Sequence, residues 1–209
     1  MGARYISPSV IRRLPKYHRR LRELLSNGVV RVSSSVLAND LGLTASQVRQ
    51  DLNCFGGFGQ QGYGYNVESL LSEIASIIGV DRHHTAAIIG VGNLGHALIN
   101  NFNFKNCGFN ITAAFDTNPE LIGTEIGGIT VSDAGRIAEA YAEKPFEVAV
   151  IAVPKAFARE TAELAVKLGV HGIWNFANVD LNEFELGVKI ENVHFADSLM
   201  TLCYKITEE

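Results

Sequence analysis

The stretch that decides the fold is TAAIIGVGNLG, from Thr85 to Gly95. A short apolar run leads into three glycines spaced G-x-G-x-x-G, and helix-forming sequence follows. The first glycine allows a tight turn, the second lets a pyrophosphate approach the backbone, and the third brings the next helix close to the sheet. The free N–H groups of that helix then face the phosphates. The pattern therefore predicts a nucleotide-binding turn, with an ordinary turn as the alternative. Its residues are Gly90, Val91, Gly92, Asn93, Leu94 and Gly95.

An acidic residue stands where a nucleotide site of this kind needs one. The run from Asn110 to Phe115 reads as a second strand, and it ends in Asp116. An acid at that place accepts hydrogen bonds from a ribose 2′-hydroxyl and repels a 2′-phosphate. We therefore predict NAD and NADH, rather than their 2′-phosphorylated forms, as the ligands. The alternative is an acid in a solvated loop, because Asn118-Pro119 signals a turn just beyond.

Strands and helices alternate through the rest of the C-terminal part. Ser132 is a candidate cap for a helix running to Glu143, and the apolar run from Glu147 to Val153 is typical of a strand buried on both faces. This alternation predicts a Rossmann-like, doubly wound parallel sheet that binds ligands at the carboxyl ends of its strands. These ends place five residues near the nicotinamide of a bound dinucleotide, with packing for stability as their alternative role. The five are Val153, Pro154, Asn175, Phe176 and Ala177.

The composition is that of a globular protein. Of 209 residues, 47% are hydrophobic and 19% are charged, which excludes a disordered chain. No apolar run approaches the length of about eighteen residues that a membrane span needs, so we expect a cytoplasmic protein without a membrane partner. The three cysteines form neither a metal pattern nor a disulfide framework, and no metal is predicted.

Charge is distributed unevenly along the chain. Residues 1–65 carry nine Lys or Arg against three acidic residues, whereas the remainder carries nine against nineteen, so a segment of charge +6 precedes one of −10. A basic module attached to an acidic body is expected of a protein that presents one face to nucleic acid. In the first predicted helix, from Pro8 to Asn27, the candidate contacts are Arg12, Arg13 and Lys16, with a solvated helix face as the alternative.

A helix-turn-helix follows the basic helix. Ser33 to Ser35 cap a short helix through Leu41, and Thr44 caps a second helix from Ala45 to about Asn53. The N-terminal half of such a second helix enters the major groove, where Arg reads guanine and Gln reads adenine, while serine hydroxyls suit phosphates. Plain helical packing is the alternative. The candidate DNA contacts of this motif are Ser33, Ser34, Ser46, Gln47, Arg49 and Gln50.

The segment from Phe55 to Tyr65 alternates five glycines with four aromatic residues. Such a segment is incompatible with a helix interior and predicts a β-hairpin, or wing, with a flexible loop as the alternative. A helix from Val67 to Ile78, ended by Gly79, then joins the two modules. The candidate DNA contacts in the wing are Phe58, Gln60, Gly62 and Tyr63.

Several blocks, in register over nearly the whole chain, resemble the family of redox-sensing transcriptional repressors of the Rex type. The C-terminal blocks include Glu191-Asn192-Val193 as well as the glycine stretch. The remaining blocks are Ser33-Ser34, Val48-Arg49-Gln50-Asp51-Leu52, Phe55-Gly56 with Phe58-Gly59, Gly62-Tyr63-Gly64-Tyr65, Ala152-Val153-Pro154 and Gly172-Ile173-Trp174-Asn175-Phe176-Ala177.

The resemblance implies a homodimer in which NADH releases palindromic operator DNA, so that genes of fermentation, anaerobic respiration and NADH reoxidation are expressed. It implies a winged helix-turn-helix domain over residues 1–79, a Rossmann domain over 80–195 and a dimerisation helix over 196–209 that is exchanged between subunits. Phe195 would join the apolar nicotinamide pocket. The resemblance also implies an interdomain switch at Arg19, Asn101, His194 and Asp197, in which His194 stands where the family has an acid.

Two other functions compete with a repressor. Dehydrogenases share the glycine pattern, but hydride transfer needs a proton donor, and His96, His171 and His194 have no identifiable orienting partner. The chain also leaves no room for a substantial substrate domain. A regulator that senses another nucleotide, such as coenzyme A, is the third possibility, and Asp116 argues against it.

Overall fold

The structure is a computed structural model that describes residues 6–56, 59–60 and 63–208, with only the backbone described for Gly59 and Gln60. The chain divides into two compact units, Met1–Asp81 and Arg82–Glu209. Among the described residues, no helix combines the length and the apolar character that crossing a bilayer requires.

In its described residues, the N-terminal unit has four helices and a small sheet. Its helices are α1 (Pro8–Ser26), α2 (Ser34–Leu41), α3 (Ala45–Asn53) and α4 (Val67–Ile78). Its strands are β1 (Arg31–Val32), β2 (Gly59–Gln60) and β3 (Gly64–Asn66), paired antiparallel in the order β1-β3-β2. This three-stranded sheet beside a helix-turn-helix is the winged helix that the sequence predicts.

Local hydrogen bonds explain where the two helices of the helix-turn-helix begin and end. The hydroxyls of Ser33 and Thr44 accept the N–H groups of Val36 and Gln47, so each caps its helix at the predicted place. Gly42 ends α2 in the left-handed conformation, with a φ of 66°. The turn between α2 and α3 is therefore determined by residues within the motif.

One apolar core joins the four helices of this unit. Tyr17 and Leu21 of α1, Leu37 of α2, Val48 of α3 and Ile74 of α4 are all fully buried in it. Burial of each such aliphatic side chain contributes about 1.5–3 kcal/mol. The buried positions of α1 recur at three- and four-residue steps, which leaves Arg12, Lys16, Arg19 and Arg22 exposed on its other side.

The C-terminal unit is built on a seven-stranded sheet of order β10-β9-β8-β4-β5-β7-β6, in which only β6 runs antiparallel to its neighbour. The strands are β4 (His84–Ile89), β5 (Phe109–Asp116), β6 (Glu125–Ile126), β7 (Ile129–Asp133), β8 (Val148–Ile151), β9 (Gly172–Asn175) and β10 (Lys189–Asn192). The helices are α5 (Asn93–Asn101), α6 (Ile137–Glu143), α7 (Lys155–Leu168) and α8 (Phe195–Thr207). This architecture confirms the predicted doubly wound sheet.

The two faces of the sheet are packed differently. On one face, the buried residues Ala158, Ala162 and Ala165 of α7 pack against the strands in a large core that also contains Phe115 and Phe146. The other face has a smaller core in which Ile88 and Val150 meet Leu98 of α5. The strand order reverses between β4 and β8, so the predicted ligand site lies at the carboxyl ends of these two strands.

Three details of the sequence prediction are corrected. Ser132 caps no helix because it lies within β7, and Asp133 instead accepts the N–H of Gly135 to cap a short 3-10 turn before α6. The strands β6 and β10 were not predicted. They have two and four residues at the two edges of the sheet, so neither shows the continuous apolar run of a strand buried on both faces.

Candidate nucleotide site and nucleic-acid interface

The three glycines of the turn after β4 have distinct spatial roles. Gly90 has a φ of 92°, and a Cβ there would lie 2.7 Å from the carbonyl oxygen of Ala152. A Cβ on Gly95 would lie 2.0 Å from the carbonyl oxygen of Gly90, so any side chain at this position forces the helix off the turn. Gly92, in contrast, has open space where a Cβ would stand. That space is what the approach of a phosphate group needs.

The N-terminus of α5 faces this open space without a side-chain cap. Gly92 is the N-cap residue, and no side chain accepts a hydrogen bond from the first turn there. The backbone N–H groups of that turn are therefore available to an anion, and the helix dipole adds to the attraction. The turn fits a pyrophosphate by its chemistry as well as by its space.

Asp116 is held over the glycine turn by two backbone hydrogen bonds. Its Oδ2 accepts the N–H of Val91 at 2.5 Å, and its Oδ1 accepts the N–H of Asn118 at 2.8 Å. A carboxylate has about four lone-pair positions, so both oxygens retain capacity for a ribose hydroxyl. The bond to Val91 means that Asp116 also shapes the turn, a role that sequence spacing does not reveal.

A cavity of about 700 Å³ opens beside the turn and Asp116. This volume lies within the range of small-molecule sites. The structure brings seven predicted residues together on its wall, which are Gly90, Gly92, Asn93, Leu94, Asp116, Val153 and Pro154. Four residues of α7 that were not predicted also line it, namely Phe157, Glu160, Thr161 and Leu164. Their three- and four-residue spacing was visible in the sequence, but the same spacing equally describes a helix face that packs on a core.

Other predicted residues of the site do not reach this cavity. Val91 and Gly95 are buried behind the turn. Asn175 is fully buried, and its Nδ2 donates to Val179 O and Asn192 Oδ1, both at 2.8 Å, while its Oδ1 accepts the N–H of Ala177. Asn175 therefore holds the end of β9 together, and its amide is occupied by its own chain. A contact of Asn175 with a ligand stays a prediction.

Phe176, Ala177 and Phe195 also lie outside the cavity. Ala177 is buried in the core beneath α7. The ring of Phe176 packs on Trp174 at 4.5 Å between centroids and faces Phe195 at 6.1 Å. Phe195 is 62% exposed at the first position of α8. A role of these three residues at the nicotinamide stays a prediction.

We predict different effects for the two glycine positions. Gly92→Ala should leave the free energy of unfolding within about 0.5 kcal/mol of the parent value, because its Cβ enters open space, yet it should weaken NADH binding by intruding on the phosphate position. Gly95→Ala should destabilise the chain by at least about 2 kcal/mol through the clash with Gly90. Thermal denaturation and NADH titration of both variants test this; equal stabilities would contradict it.

In the N-terminal unit, most candidate DNA contacts are exposed. Ser33 keeps its cap bond to the N–H of Val36, and Arg49 Nη1 donates to Ser34 Oγ at 3.1 Å, which ties α3 to the start of α2. Phe58, Gly62 and the side chain of Gln60 lie outside the described residues. The exposed candidates are Arg12, Lys16, Ser33, Ser46, Arg49, Gln50 and Tyr63.

Two predicted DNA contacts are engaged inside the unit. Arg13 donates to both carboxylate oxygens of Asp51, from Nε at 2.6 Å and from Nη2 at 2.8 Å. Gln47 donates from Nε2 to Asp51 Oδ1 at 3.0 Å. The sequence showed all three residues but not that Asp51 faces inward. The charge of Arg13 is therefore paired within the unit.

Arg31 is a wing residue that the sequence prediction missed. Its Nε donates to the carbonyl oxygen of Tyr63 at 3.0 Å, and its guanidinium lies 6.0 Å from the centroid of the Tyr63 ring. The contact braces one edge of the wing. A lone Arg in a two-residue strand gave no signal of this role.

The predicted switch residues belong to different units. Arg19 is exposed on α1 of the N-terminal unit. Asn101 ends α5, His194 precedes α8 and Asp197 lies in its first turn, all in the C-terminal unit. Their joint role in a switch stays a prediction.

Comparison with protein families divides the chain in the same way. Residues 5–53 match a family described as "Putative DNA-binding protein N-terminus", and residues 81–179 match one described as "CoA binding domain". The first covers the helix-turn-helix, and the second covers the glycine turn and most of the large sheet.

Similar proteins match nearly the whole chain. A Clostridium beijerinckii protein named redox-sensing transcriptional repressor Rex is 50% identical, with 97% of this chain and 96% of that protein aligned. A Clostridioides difficile protein of the same name is 49% identical, over 100% of this chain and 99% of that one. The crystal structure of RSP in complex with β-NAD+ and operator DNA superposes with a TM-score of 0.88 at 46% identity, covering 98% and 94% of the two chains. RSP in complex with β-NADH gives 0.87 at 43% identity, covering 97% and 95%.

Proposed function

We infer the functional sites of the molecule from the fact that this chain belongs to the Rex family of redox-sensing transcriptional repressors. It is a DNA-binding regulator that senses NADH against NAD, and it is not an enzyme. One observation carries our assignment of the sites. A cavity with an anion-binding helix start and a ribose acid lies in one unit, and a helix-turn-helix with exposed Arg49 and Gln50 lies in the other.

We propose that the adenosine half of the dinucleotide lies in the cavity. The N–H groups at the start of α5 bind the pyrophosphate, and Asp116 accepts from the ribose hydroxyls. Phe157 and Leu164 of α7 line the same cavity with exposed apolar surface that suits an adenine ring. Both oxidation states share this half, so the cavity supplies affinity without discriminating between them.

Discrimination between NADH and NAD then depends on the apolar side chains beyond the ends of β8 and β9. The oxidised nicotinamide ring carries a positive charge and the reduced ring carries none, so an apolar surround disfavours the oxidised form. Phe176 and Phe195 supply such a surround. Because Phe195 is the first residue of α8, a ring placed against it would also influence how that helix is oriented.

Linkage connects the two sites. If NADH binds one arrangement of the subunits better and operator DNA binds the other, each ligand lowers the affinity for the other by the same factor. The direction we propose is release of DNA by NADH, with derepression of genes that reoxidise NADH. The proposed operator is palindromic because a two-fold symmetric dimer presents two equivalent recognition helices.

The terminal helix is the proposed dimer element. No residue of α8 is buried, and its apolar side chains Leu199, Met200, Leu202 and Ile206 are more than half exposed. An apolar stripe of this size calls for a partner. We propose that α8 is exchanged with a second copy of the chain, which would work in the cytoplasm beside its DNA.

We predict that Leu202→Asp shifts the chain from dimer to monomer and weakens operator binding, because a charge in an apolar contact is costly. Thr201→Asp is the matched control, since Thr201 lies on the polar side of α8 with Asp197 and Lys205. Light scattering gives the mass of each variant. Retention of the dimer by Leu202→Asp, or an equal loss with Thr201→Asp, would contradict an apolar α8 interface.

A titration tests the sensor function directly. NADH added to the purified chain should bind tightly, as followed by its fluorescence, while its absorbance stays constant in the presence of alcohols and hydroxy acids. Coenzyme A should not compete for the site. Steady oxidation of NADH would contradict a sensor, and displacement of NADH by coenzyme A would reassign the ligand.

A further inference from the structure

A buried charge lies inside the recognition helix α3. Asp51 is fully buried, and among the described residues it is the only acidic one in that state. Its carboxylate accepts from Arg13 Nε and Nη2 at 2.6 and 2.8 Å, from the Tyr17 hydroxyl at 2.8 Å and from Gln47 Nε2 at 3.0 Å. The three bonds from Arg13 and Tyr17 join α1 to α3, and the bond from Gln47 lies within α3. Two of the three donor residues, Arg13 and Gln47, stand at positions that the sequence marks for DNA contact.

The group stays ionised. Burial acts to raise the pKa of Asp51, but the hydrogen bonds from Arg13, Gln47 and Tyr17 outweigh it and lower that pKa below its ordinary value. Burial and the bond to Asp51 raise the pKa of Tyr17 well above its ordinary value, so the phenol remains a donor. The charge of Arg13 is therefore balanced at neutral pH, and it adds little to the electrostatic attraction of DNA.

The same carboxylate determines which end of the Gln47 amide points outward. An ionised carboxylate only accepts hydrogen bonds, so the amide must turn its Nε2 toward Asp51. Its Oε1 and the second N–H of Nε2 are left over, and Gln47 lies in the N-terminal half of α3, the part that enters a major groove. A carbonyl oxygen there accepts from a base amino group, on adenine N6 or cytosine N4, and the remaining N–H can donate to adenine N7.

We propose that Asp51 is a specificity-determining positioning residue: it withholds Arg13 from the phosphates and orients Gln47 so that α3 selects bases by their amino groups. The proposal rests on the proposed DNA-binding function. In this arrangement Asp51 lowers the affinity for arbitrary DNA and raises the affinity for the operator. A residue needed only for folding would change both affinities in the same direction.

The test compares Asp51→Asn with the parent full-length chain. The DNA probe is the duplex that the parent chain selects from a random pool, with a scrambled duplex of equal length as the second probe. Asparagine removes the charge and frees Arg13. Fluorescence anisotropy should show operator affinity about 10-fold lower and scrambled-duplex affinity not lower, and up to several-fold higher. The slope of log affinity against log salt concentration, measured on the scrambled duplex, should steepen by the amount expected for about one more phosphate contact. A parallel fall on both probes, or an unchanged ratio of the two affinities, would overturn the proposal.

Asp40→Asn is the matched control. Asp40 pairs with Arg20 at 2.6 Å on the outside of the same unit, and Arg20 also pairs with Glu23 at 3.0 Å. This variant therefore removes the same charge and one ion pair of an Arg without touching α3. It should leave the ratio of the two affinities unchanged. If Asp40→Asn lowers the ratio of operator affinity to scrambled-duplex affinity as much as Asp51→Asn does, net charge alone is responsible and the proposal is overturned.

A second variant keeps the proposal testable should Asp51→Asn fail to fold. Gln47→Leu leaves the Arg13–Asp51 pair intact, so it should lower operator affinity without raising scrambled-duplex affinity or changing the salt dependence. Full retention of the affinity ratio by Gln47→Leu would overturn the role given to Asp51. Failure of the parent chain to select any duplex would instead contradict the proposed function.

Discussion

Replacement of Asp116 by alanine should weaken NADH and NAD by the same factor. The acid lies in the cavity that we assign to the adenosine half, which is identical in the two ligands. Hydrogen bonds to charged groups contribute about 1.5–3 kcal/mol, so the expected loss is roughly 10- to 150-fold for each ligand. Calorimetric titration of both nucleotides gives the two factors. A loss confined to one oxidation state would contradict the placement of the adenosine half.

The same variant separates the two sites of the molecule. Asp116 belongs to the C-terminal unit and lies about twenty residues past the glycine turn, whereas the helix-turn-helix is complete within the first unit. The ligand-free variant should therefore bind operator DNA as tightly as the parent. Asp133→Ala is a matched control, because Asp133 is an exposed acid on the neighbouring strand that caps only a local turn. Its nucleotide affinities should not change.

Replacement of Arg49 by alanine should lower operator affinity by about 1–3 kcal/mol, or roughly 5- to 150-fold, while NADH affinity stays constant. Arg49 is exposed on α3 and donates to Ser34 Oγ at the start of α2, so its guanidinium is oriented on the face that we assign to the major groove. Loss of a base contact should reduce discrimination between the operator and a scrambled duplex. Anisotropy titrations on both duplexes measure the two effects.

Arg136→Ala provides the control for a change of charge. Arg136 is exposed in the C-terminal unit, where it pairs with Glu139 at 2.9 Å. Its removal lowers the net charge by the same amount as Arg49→Ala and should leave operator affinity within about twofold. If the two variants lose affinity equally, DNA binding reflects overall charge rather than a recognition helix.

Much of the fold could be predicted because its decisive signals are local. Ser33, Thr44 and Gly42 determine the ends of α2 and α3 through bonds to their nearest neighbours. The glycine turn is equally local, since Gly95 and Gly90 must approach each other within six residues. Signals of this kind are present in the order of residues and need no knowledge of the tertiary structure.

The features that the sequence did not reveal concern residues whose partners are distant. Asn175 was predicted at the end of a strand, but the sequence did not show that its amide bonds Val179 and Asn192. Arg13 looked like one more surface cation, but its partner Asp51 is 38 residues away. Sequence spacing shows that a polar side chain exists, whereas only packing shows which group it meets.

The stability of the N-terminal unit should depend on pH through Asp51. Asp51 has a lowered pKa in the folded state, so its bonds to Arg13, Tyr17 and Gln47 stabilise the fold above the pKa of the unfolded carboxyl. This stabilisation is lost as the pH falls through the folded-state pKa, which lies below the ordinary value for Asp. The network is therefore intact at neutral pH, where operator binding is measured.

We propose that occupation of the dinucleotide site controls DNA binding. The most direct measurement is anisotropy of a labelled palindromic operator, held by the dimer, during titration with NADH and, separately, with NAD. We predict that NADH releases the DNA at concentrations where NAD does not, and that Asp116→Ala shifts this release to higher NADH by the factor of its lost affinity. Equal retention of DNA at every concentration of either nucleotide would contradict the account.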